Sequence, residues 1–261
     1  MNTRKIGITG ATGVLGSILV KKLEKNNIEY NDFKGNIQKK EEVKDWINSN
    51  KFTAIIHLAA IVPTIEVKEN PEKAYQVNVV GTRNLIETIK LKGQNPWIFY
   101  ASTSHIYKSK NSPINENDEK NPISKYGKTK YEAEKIVAEY KNSCIGRIFS
   151  FYHDTQKKSF LYPSTKERLI KEDLSKPFEL YGAQSVRDFL NAEEVVDIII
   201  KLMKKGINGI YNIASGKGIK IKDFVQNLTD KKLIIEEKGN SDYLVADISK
   251  LNKVLNKQES I

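Results

Sequence analysis

The sequence has 261 residues, of which 39% are hydrophobic and 29% are charged, a composition typical of a globular protein large enough to bury a real core. Its formal net charge is +11, but nearly all the positive charge comes from lysines interspersed with Glu and Asp, which is typical of a solvated surface and argues against a nucleic-acid partner. No apolar run approaches the ~20 residues that span a bilayer, the chain enters a predicted strand at once, and the single cysteine, Cys144, has no internal disulfide partner, so we expect a cytoplasmic protein with no membrane partner.

The first half of the chain alternates apolar strand runs with amphipathic helices, which is the pattern of a doubly wound parallel sheet. The predicted strands of this half are Lys5–Thr9, Ile28–Phe33, Thr53–Leu58, Trp97–Ser102 and Ser143–Phe149. The predicted helices are Val14–Leu23, Glu41–Asn50, Pro71–Leu91 and Ser124–Tyr140. We therefore expect residues 1–150 to form an α/β domain of the Rossmann type.

The pattern is less regular beyond residue 150. Helices are predicted near 164–174, at Ala192–Lys205 and at Ile219–Leu228, and strands at Phe178–Leu180 and Ile210–Ile213. We expect residues 151–261 to form a small C-terminal lobe that is interleaved with the first domain. In this interpretation a strand or helix from about 183–213 returns to the large sheet.

The segment Thr9–Gly16 supplies a strand-to-helix turn with little side-chain bulk. Gly10 permits the sharp turn, Gly13 lets a pyrophosphate approach the main chain, and Gly16 lets the helix pack closely on the strand. The helix N-terminus then favours phosphate through its free N–H groups. The alternative is an ordinary glycine-rich turn. The residues expected to contact a dinucleotide here are Gly10, Thr12, Gly13, Val14 and Leu15.

About a hundred residues later, Tyr126 and Lys130 lie four positions apart, so a helix places the phenol and the ammonium on one face. A free phenol has a pKa near ~10. Lys130, together with the charge of an oxidised nicotinamide, would favour the phenolate. A single tyrosine is often only a helix-surface residue. Together with the glycine turn, however, the pair indicates an enzyme that moves hydride and a proton between a nicotinamide and a carbinol or ketone.

Several segments in this order make the chain resemble the NAD(P)-dependent epimerase/dehydratase family of extended short-chain dehydrogenase/reductases, which act on nucleotide sugars. These segments are Thr9–Gly16, His57–Ala60, Asn78–Thr82, Ala101–Tyr107, Tyr126–Lys130, Arg187–Leu190 and Tyr211–Ala214. The resemblance implies a Rossmann fold with a small substrate-binding lobe. It also implies a homodimer formed through the helices near 71–91 and 124–140, and a role in polysaccharide synthesis.

The resemblance implies roles for individual residues. Tyr126 is the expected general acid/base, and Lys130 also holds the nicotinamide ribose. Thr103 matches the residue that hydrogen-bonds the reacting oxygen, and Asn78 matches an asparagine that supports the active site. The residues expected to bind the cofactor after the third strand are Leu58, Ala59 and Ala60. No metal is expected.

The choice of cofactor depends on the end of the second strand. Asp32 can accept hydrogen bonds from the adenosine ribose hydroxyls, which favours NAD because a carboxylate repels a 2′-phosphate. Lys34 is close enough in sequence to favour NADP instead. Asn36 and Ile37 are expected beside the adenine. The sequence therefore favours NAD and leaves NADP open.

Two departures from the family pattern concern the sugar pocket. Related 4,6-dehydratases carry an acidic residue after the threonine, whereas this chain has Ser104 and His105, and a neutral hydroxyl is a poor base for dehydration. His105 is either a substrate contact or second acid, or a partly buried hydrogen-bonding residue. Ser150 replaces an asparagine that often contacts the substrate, and His153 replaces a glycine.

Arg187 matches the family arginine that binds the diphosphate of the nucleotide sugar, a role that suits bidentate guanidinium geometry. The alternative is a structural salt bridge to Asp188 or Glu193. We expect substrate contacts from Ser104, His105, Ser150, His153 and Arg187.

The favoured function is reduction of a 4-keto (6-deoxy)hexose carried by a nucleoside diphosphate. A redox-neutral C4 epimerase that keeps its NAD bound is the alternative. A non-catalytic dinucleotide sensor is a third hypothesis, but such proteins typically lose the Tyr–Lys pair, which this chain retains.

Overall fold

Six parallel strands form the central sheet, in the spatial order Tyr30–Phe33, Ile6–Thr9, Ala54–His57, Trp97–Thr103, Ser143–Ile148 and Gly209–Ile213. The computed structural model describes residues 5–62 and 64–256. Its strands are Ile6–Thr9 (β1), Tyr30–Phe33 (β2), Ala54–His57 (β3), Trp97–Thr103 (β4), Ser143–Ile148 (β5), Ser150–Tyr152 (β6), Pro177–Tyr181 (β7), Val186–Asn191 (β8), Gly209–Ile213 (β9), Gly218–Lys220 (β10), Ile234–Lys238 (β11) and Tyr243–Leu244 (β12).

Helices cover both faces of this sheet, as a doubly wound fold requires. They are Val14–Lys25 (α1), Lys40–Asn48 (α2), Thr64–Glu69 (α3), Pro71–Tyr75 (α4), Gly81–Leu91 (α5), Lys125–Ala138 (α6), Leu161–Lys171 (α7), Ala192–Lys204 (α8), Ile221–Gln226 (α9) and Ser249–Leu255 (α10). One apolar core joins α1 and α8 to the sheet. A second core joins α2, α5 and α6 to the opposite face. The predicted α/β fold is confirmed.

Residues 71–91 do not form the single α-helix that the sequence predicts. A π-helical segment, Gln76–Val80, separates α4 from α5. Hydrophobic spacing cannot reveal it, because one wider turn shifts the periodicity by a single residue. At the join, a Cβ on Gly81 would lie 2.5 Å from Ile37 Cγ2, so α5 presses directly on the loop after β2. The short helix α3 is a further element that the sequence analysis missed.

The second half differs more from prediction. The predicted helix Ile219–Leu228 begins as strand β10 and becomes helical only over Ile221–Gln226. Strand β8 pairs with β10, β12 and β6 to form a small sheet, and β7 pairs with β11. Strand β7 contains the predicted strand Phe178–Leu180. The other strands escaped prediction because they are short or carry charged residues in place of an apolar run.

Chain segments from the second half return to the large sheet. Strand β9 adds to its edge in parallel with β5, and the buried face of α8 packs in the core beside β1 and β4. Outside the large sheet, β6, β8, β10 and β12 build the small sheet, and β7 and β11 form a separate two-stranded sheet. The carboxyl ends of the large sheet therefore face elements from both halves of the chain.

A buried ion pair joins α6 to the sheet beneath these carboxyl ends. Arg147 Nη2 on β5 lies 2.5 Å from Glu134 Oε1 on α6, and Arg147 Nη1 donates to Tyr107 Oη at 2.8 Å and to the Glu116 carbonyl at 2.7 Å. Ser102 Oγ donates to Glu134 Oε2 at 2.7 Å. Burial opposes the charge on Arg147, but the adjacent carboxylate outweighs it and raises the Arg147 pKa.

Arg147→Met should lower the free energy of unfolding by about 3–5 kcal/mol, because it leaves the Glu134 carboxylate buried without its partner. The matched control is Lys90→Met, which removes an exposed pair with Glu139 at 3.6 Å and should change stability by less than about 1 kcal/mol. Urea unfolding of the two variants measures both effects. Equal losses would contradict the prediction.

Candidate active site

The candidate site lies where the central sheet changes its direction of winding. The chain passes from β1 to β2 on one side and returns to β3 on the other side of β1. In open α/β sheets ligands bind outside the carboxyl ends of strands at such a switch point. The glycine turn follows β1 here, residues Leu58–Ala60 follow β3, and Thr103 ends the adjacent β4.

The three glycines of the turn face different surroundings. Gly10 has a φ of +78°, and a Cβ there would lie 2.7 Å from the Ala59 nitrogen, while a Cβ on Gly16 would lie 2.2 Å from the Gly10 oxygen. The protein itself therefore requires glycine at both positions. At Gly13 the nearest atom to an added Cβ is 3.4 Å away, so the space beside this position is large enough for a methyl group.

The first turn of α1 is suited to an anion. The helix begins at Gly13 with no side-chain cap and no acidic residue in its first turn. Its free N–H groups and the positive end of the helix dipole thus point towards the space beside Gly13. Gly10, Thr12, Gly13, Val14 and Leu15 are brought together in a cradle that fits a pyrophosphate.

The residues predicted for the adenosine end lie at and after β2. The Asp32 side chain is 31% exposed, and Lys34 Nζ lies 4.0 Å from its carboxylate. Asn36 Oδ1 already accepts from the Gln38 backbone N–H at 3.0 Å, and Ile37 is buried. Asp32 is therefore partly accessible to a ligand. Asp32 and Lys34 also line a cavity of about 460 Å³ between β2 and α2, completed by Asn31, Phe33, Gly35, Glu42, Asp45 and Trp46.

Tyr126 occupies the first turn of α6. Ser124 caps this helix by accepting from the Gly127 N–H at 3.0 Å, and a Cβ on Gly127 would meet the His105 carbonyl at 2.5 Å. The helix start is thereby pressed against the turn after β4, which brings the phenol to Thr103. Burial raises the pKa of Tyr126 to about 12, with the Thr103 hydroxyl opposing that rise through a hydrogen bond. The phenol is therefore protonated at neutral pH.

Lys130 lies one helical turn further on the same face. It is only 3% exposed, and its ammonium lies 4.3 Å from the centroid of the Tyr100 ring. Burial lowers the Lys130 pKa to about 7, although Glu134 one turn beyond raises it. The side chain is thus poised between ammonium and amine near neutral pH, which makes it responsive to a charged ligand.

Asn78 lies in the π segment and connects two parts of the site. Its Oδ1 accepts from the Ile61 N–H at 2.8 Å, and its Nδ2 donates to Thr129 Oγ1 at 3.1 Å. Thr129 in turn donates to the Tyr126 carbonyl at 2.9 Å. The asparagine therefore ties the loop after β3 to the helix that carries the phenol and the lysine.

Arg187 lies on β8, and its charge acts on His105 in the turn after β4. Its Nη2 lies 2.6 Å from Asp242 Oδ1, so its ion pair forms with a residue other than the two acids that the sequence suggested. One of those, Asp188, is fully buried and accepts hydrogen bonds from backbone N–H groups of the loop after β9.

His105 lies beside Tyr126 and within electrostatic reach of Arg187. Its ring edge faces the Tyr126 ring, with centroids 5.9 Å apart and planes at 74°. Desolvation in the cleft and the nearby Arg187 lower the His105 pKa, while Asp242 opposes the shift. Since the His105 side chain is exposed, it is accessible to a ligand between Tyr126 and Arg187.

The other predicted substrate residues lie in β6, just after β6 and in the turn after β4. Ser150 opens β6 and pairs with Phe189 on β8, two residues beyond Arg187. His153 Nδ1 accepts from the Thr155 N–H at 3.2 Å, so this ring nitrogen is engaged in a local turn. Ser104 is buried in the 3₁₀ turn after β4.

Three features of the site were missed from the sequence. Glu134 and Arg147 read as ordinary charged residues, and only three-dimensional contact shows that they pair beneath Lys130. Asp242 lies far along the chain from Arg187, in a segment without a motif. His57 belongs to the segment His57–Ala60 named above, but the sequence does not show that both of its ring nitrogens form hydrogen bonds, with Thr9 and Thr82.

Two absences apply to the described ranges 5–62 and 64–256. No group of three or more His, Cys, Asp or Glu side chains is placed to hold a metal ion. No helix in these ranges is both long and apolar enough to cross a bilayer.

Comparison with known proteins identifies the family of the chain. Residues 21–259 match the family described as GDP-mannose 4,6 dehydratase. The chain belongs to this family. It is thereby an extended short-chain dehydrogenase/reductase, as the sequence segments indicated.

Individual relatives show a range of activities. A GDP-6-deoxy-D-talose 4-dehydrogenase from Aggregatibacter actinomycetemcomitans is 29% identical over 238 residues, which cover 87% of this chain and 79% of the relative. The structure of RMD from Pseudomonas aeruginosa complexed with NADPH is 21% identical with a TM-score of 0.85, covering 99% of this chain and 94% of that one. A Thermus thermophilus UDP-glucose 4-epimerase complexed with NAD is 21% identical with a TM-score of 0.82, covering 96% and 92%. At these identities the two structures show that the Rossmann fold is shared.

Gly13→Ala and Gly16→Ala should separate cofactor binding from folding. Gly13→Ala adds a methyl group where the protein leaves room, so the melting temperature should hold within a few degrees while the dissociation constant for a dinucleotide rises at least tenfold. Gly16→Ala should instead lower the melting temperature, because the methyl group clashes with backbone. Thermal unfolding and dinucleotide titration measure the two effects. Unchanged dinucleotide binding by Gly13→Ala would contradict the assignment of this turn.

Proposed function

We propose that the protein is an NAD(P)-dependent oxidoreductase that reduces a 4-keto (6-deoxy)hexose carried by a nucleoside diphosphate. The observation that carries this proposal is the position of the Tyr126 phenol, which is hydrogen-bonded to Thr103 and lies one helical turn from the buried Lys130. The similarity to the 4-dehydrogenase of a GDP-6-deoxy sugar supports the same class of substrate.

The chemistry follows from the protonation state of these groups. A bound reduced nicotinamide supplies the hydride. Tyr126 donates its proton to the sugar carbonyl oxygen, and Thr103 orients that oxygen with its hydroxyl. A phenol with a pKa of about 12 starts the reductive direction in its reactive, protonated form, and it needs further help only to accept a proton in the reverse direction.

The cofactor is proposed to bind along the switch point. The glycine turn holds the pyrophosphate, Leu58–Ala60 line the nicotinamide side, and Lys130 binds the nicotinamide ribose. Asp32 favours NAD, because its carboxylate repels a 2′-phosphate. Lys34 is the cation nearest to that carboxylate and its side chain is 84% exposed, so NADP is the alternative that a comparison of the two cofactors tests.

The substrate is proposed to bind between the Rossmann domain, residues 1–150, and the lobe built from residues 151–261 other than α8 and β9. Arg187 binds the diphosphate, and His105, Ser104, Ser150 and His153 surround the sugar. Dehydration is disfavoured because Ser104 and His105 stand where related dehydratases carry an acid.

We also propose a cytoplasmic homodimer that pairs through the helices near 71–91 and 124–140. Sedimentation of the purified protein tests the dimer.

A redox-neutral C4 epimerase is the second candidate, since this fold also serves a UDP-glucose 4-epimerase that was solved with NAD. Protein purified with tightly held NAD, and sugar conversion without net consumption of reduced cofactor, would favour the epimerase. Steady consumption of NAD(P)H with a 4-keto sugar nucleotide would favour the reductase.

Tyr126→Phe tests the proton donor. The variant should lose about 10²–10⁴-fold in kcat, the typical contribution of a positioned general acid, while its dissociation constant for NAD(P)H stays within about threefold of wild type. Single-turnover reduction of a keto sugar, followed by loss of NAD(P)H absorbance, measures the effect. Retention of the wild-type rate would exclude Tyr126 as the acid.

Cofactor binding should be accompanied by proton uptake at Lys130. With a pKa of about 7 in the free protein, most of this side chain is neutral at pH 8, and an anionic dinucleotide favours its charged form. Titration calorimetry in buffers of different ionisation enthalpy should therefore show uptake approaching one proton at pH 8 and almost none at pH 5.5, where Lys130 is already charged. Lys130→Met should abolish the uptake at pH 8. If that variant takes up as many protons as wild type, the assignment to Lys130 is wrong.

A further inference from the structure

A chain of buried side-chain hydrogen bonds crosses the sheet beneath the candidate site. Thr9 Oγ1 lies 2.6 Å from His57 Nδ1, and His57 Nε2 lies 2.9 Å from Thr82 Oγ1. Thr82 Oγ1 donates to the Asn78 carbonyl at 2.7 Å. All four residues are no more than 1% exposed, so solvent does not replace a lost partner.

The protons in this chain can be assigned from its far end. The Thr82 hydroxyl has one hydrogen, which it donates to the Asn78 carbonyl, so its oxygen accepts from His57 Nε2–H. A neutral imidazole with its proton on Nε2 accepts at Nδ1, and Thr9 therefore donates to it. Burial, together with Lys130, lowers the pKa of His57 to about 3, which agrees with a neutral ring. Every hydrogen bond in this series is thus donated in the same direction, from Thr9 towards Asn78.

The two ends of this hydrogen-bond series lie at the glycine turn and at the helix that carries Tyr126. Thr9 immediately precedes Gly10, and its Oγ1 also accepts from the Ala59 N–H at 3.3 Å. At the other end, Asn78 reaches the Tyr126 carbonyl through Thr129. Residues from β1, β3, the π segment, α5 and α6 therefore share one line of directed hydrogen bonds.

We infer that His57 is a positioning residue that couples the cofactor turn to the helix carrying Tyr126. It accepts from the cofactor side and donates towards the Tyr126 side, so a shift of either end misaligns the other. This inference rests on the proposed function. It adds that the relative placement of cofactor and proton donor is set by His57, Thr9 and Thr82, which touch neither reactant.

The chain offers a matched pair of substitutions on one helix. Thr82→Val removes a hydroxyl that belongs to the line of hydrogen bonds and keeps the side-chain shape. Thr88→Val, on the same helix α5, removes a buried hydroxyl whose Oγ1 has no hydrogen-bond partner among the described residues. Both substitutions replace a buried hydroxyl by a methyl group. Comparison of the two variants therefore separates the loss of the hydrogen-bond series from the effect of the substitution itself.

Thr82→Val should lower kcat with the best keto-sugar substrate about tenfold, because small misplacement of reacting groups is costly. It should also weaken NAD(P)H binding several-fold. Thr88→Val should keep both quantities within about twofold of wild type. Each value is normalised to the folded fraction from urea unfolding, which removes any contribution from stability alone.

Substitution of His57 itself adds a second measurement. His57→Gln retains one acceptor and one donor, whereas His57→Leu retains neither. We expect kcat to fall in the order wild type, His57→Gln, His57→Leu. Equal kcat for all folded variants, or equal loss in Thr82→Val and Thr88→Val, would overturn the positioning role. A wild-type protein that binds no dinucleotide would instead refute the proposed function on which it rests.

Discussion

The buried ion pair between Glu134 and Arg147 is the constraint on which the site depends. Helix α6 carries both Tyr126 and Lys130, and its next turn carries the carboxylate that Arg147 holds against β5. Two charges taken out of water tolerate little displacement, since a shift leaves either one without a partner. The helix is therefore fixed in depth and rotation relative to the strand ends. A weaker apolar contact would hold α6 in place without fixing its rotation so firmly.

The same burial sets the electrostatic character of the site. It disfavours charge on every group, so the phenol stays neutral and the lysine loses much of its preference for the ammonium form. In the proposed binding mode, an anionic dinucleotide would favour the charged form of Lys130 and so give Tyr126 a positive neighbour. The cofactor would then complete the arrangement of charges that the reaction needs.

Local signals explain which features were predictable. The apolar runs of β1, β3 and β5 and the glycine turn are properties of neighbouring residues, and the Rossmann domain follows from them. The π segment before Gly81 changes the helical period by one residue, which is too little for a pattern to reveal. Strand β8 is held by partners distant in the sequence, and the ion pair between Arg187 and Asp242 depends on contacts that no local spacing encodes. The roles of the individual site residues remain predictions from the motif.

The ion pair on the outer wall of the cleft has a consequence for molecular discrimination. Asp242 already satisfies Arg187, so in the proposed binding mode an incoming molecule must displace a carboxylate before it gains the guanidinium. An uncharged sugar brings nothing to exchange, and a diphosphate brings more negative charge than it removes. In that binding mode the exchange therefore selects ligands by their charge.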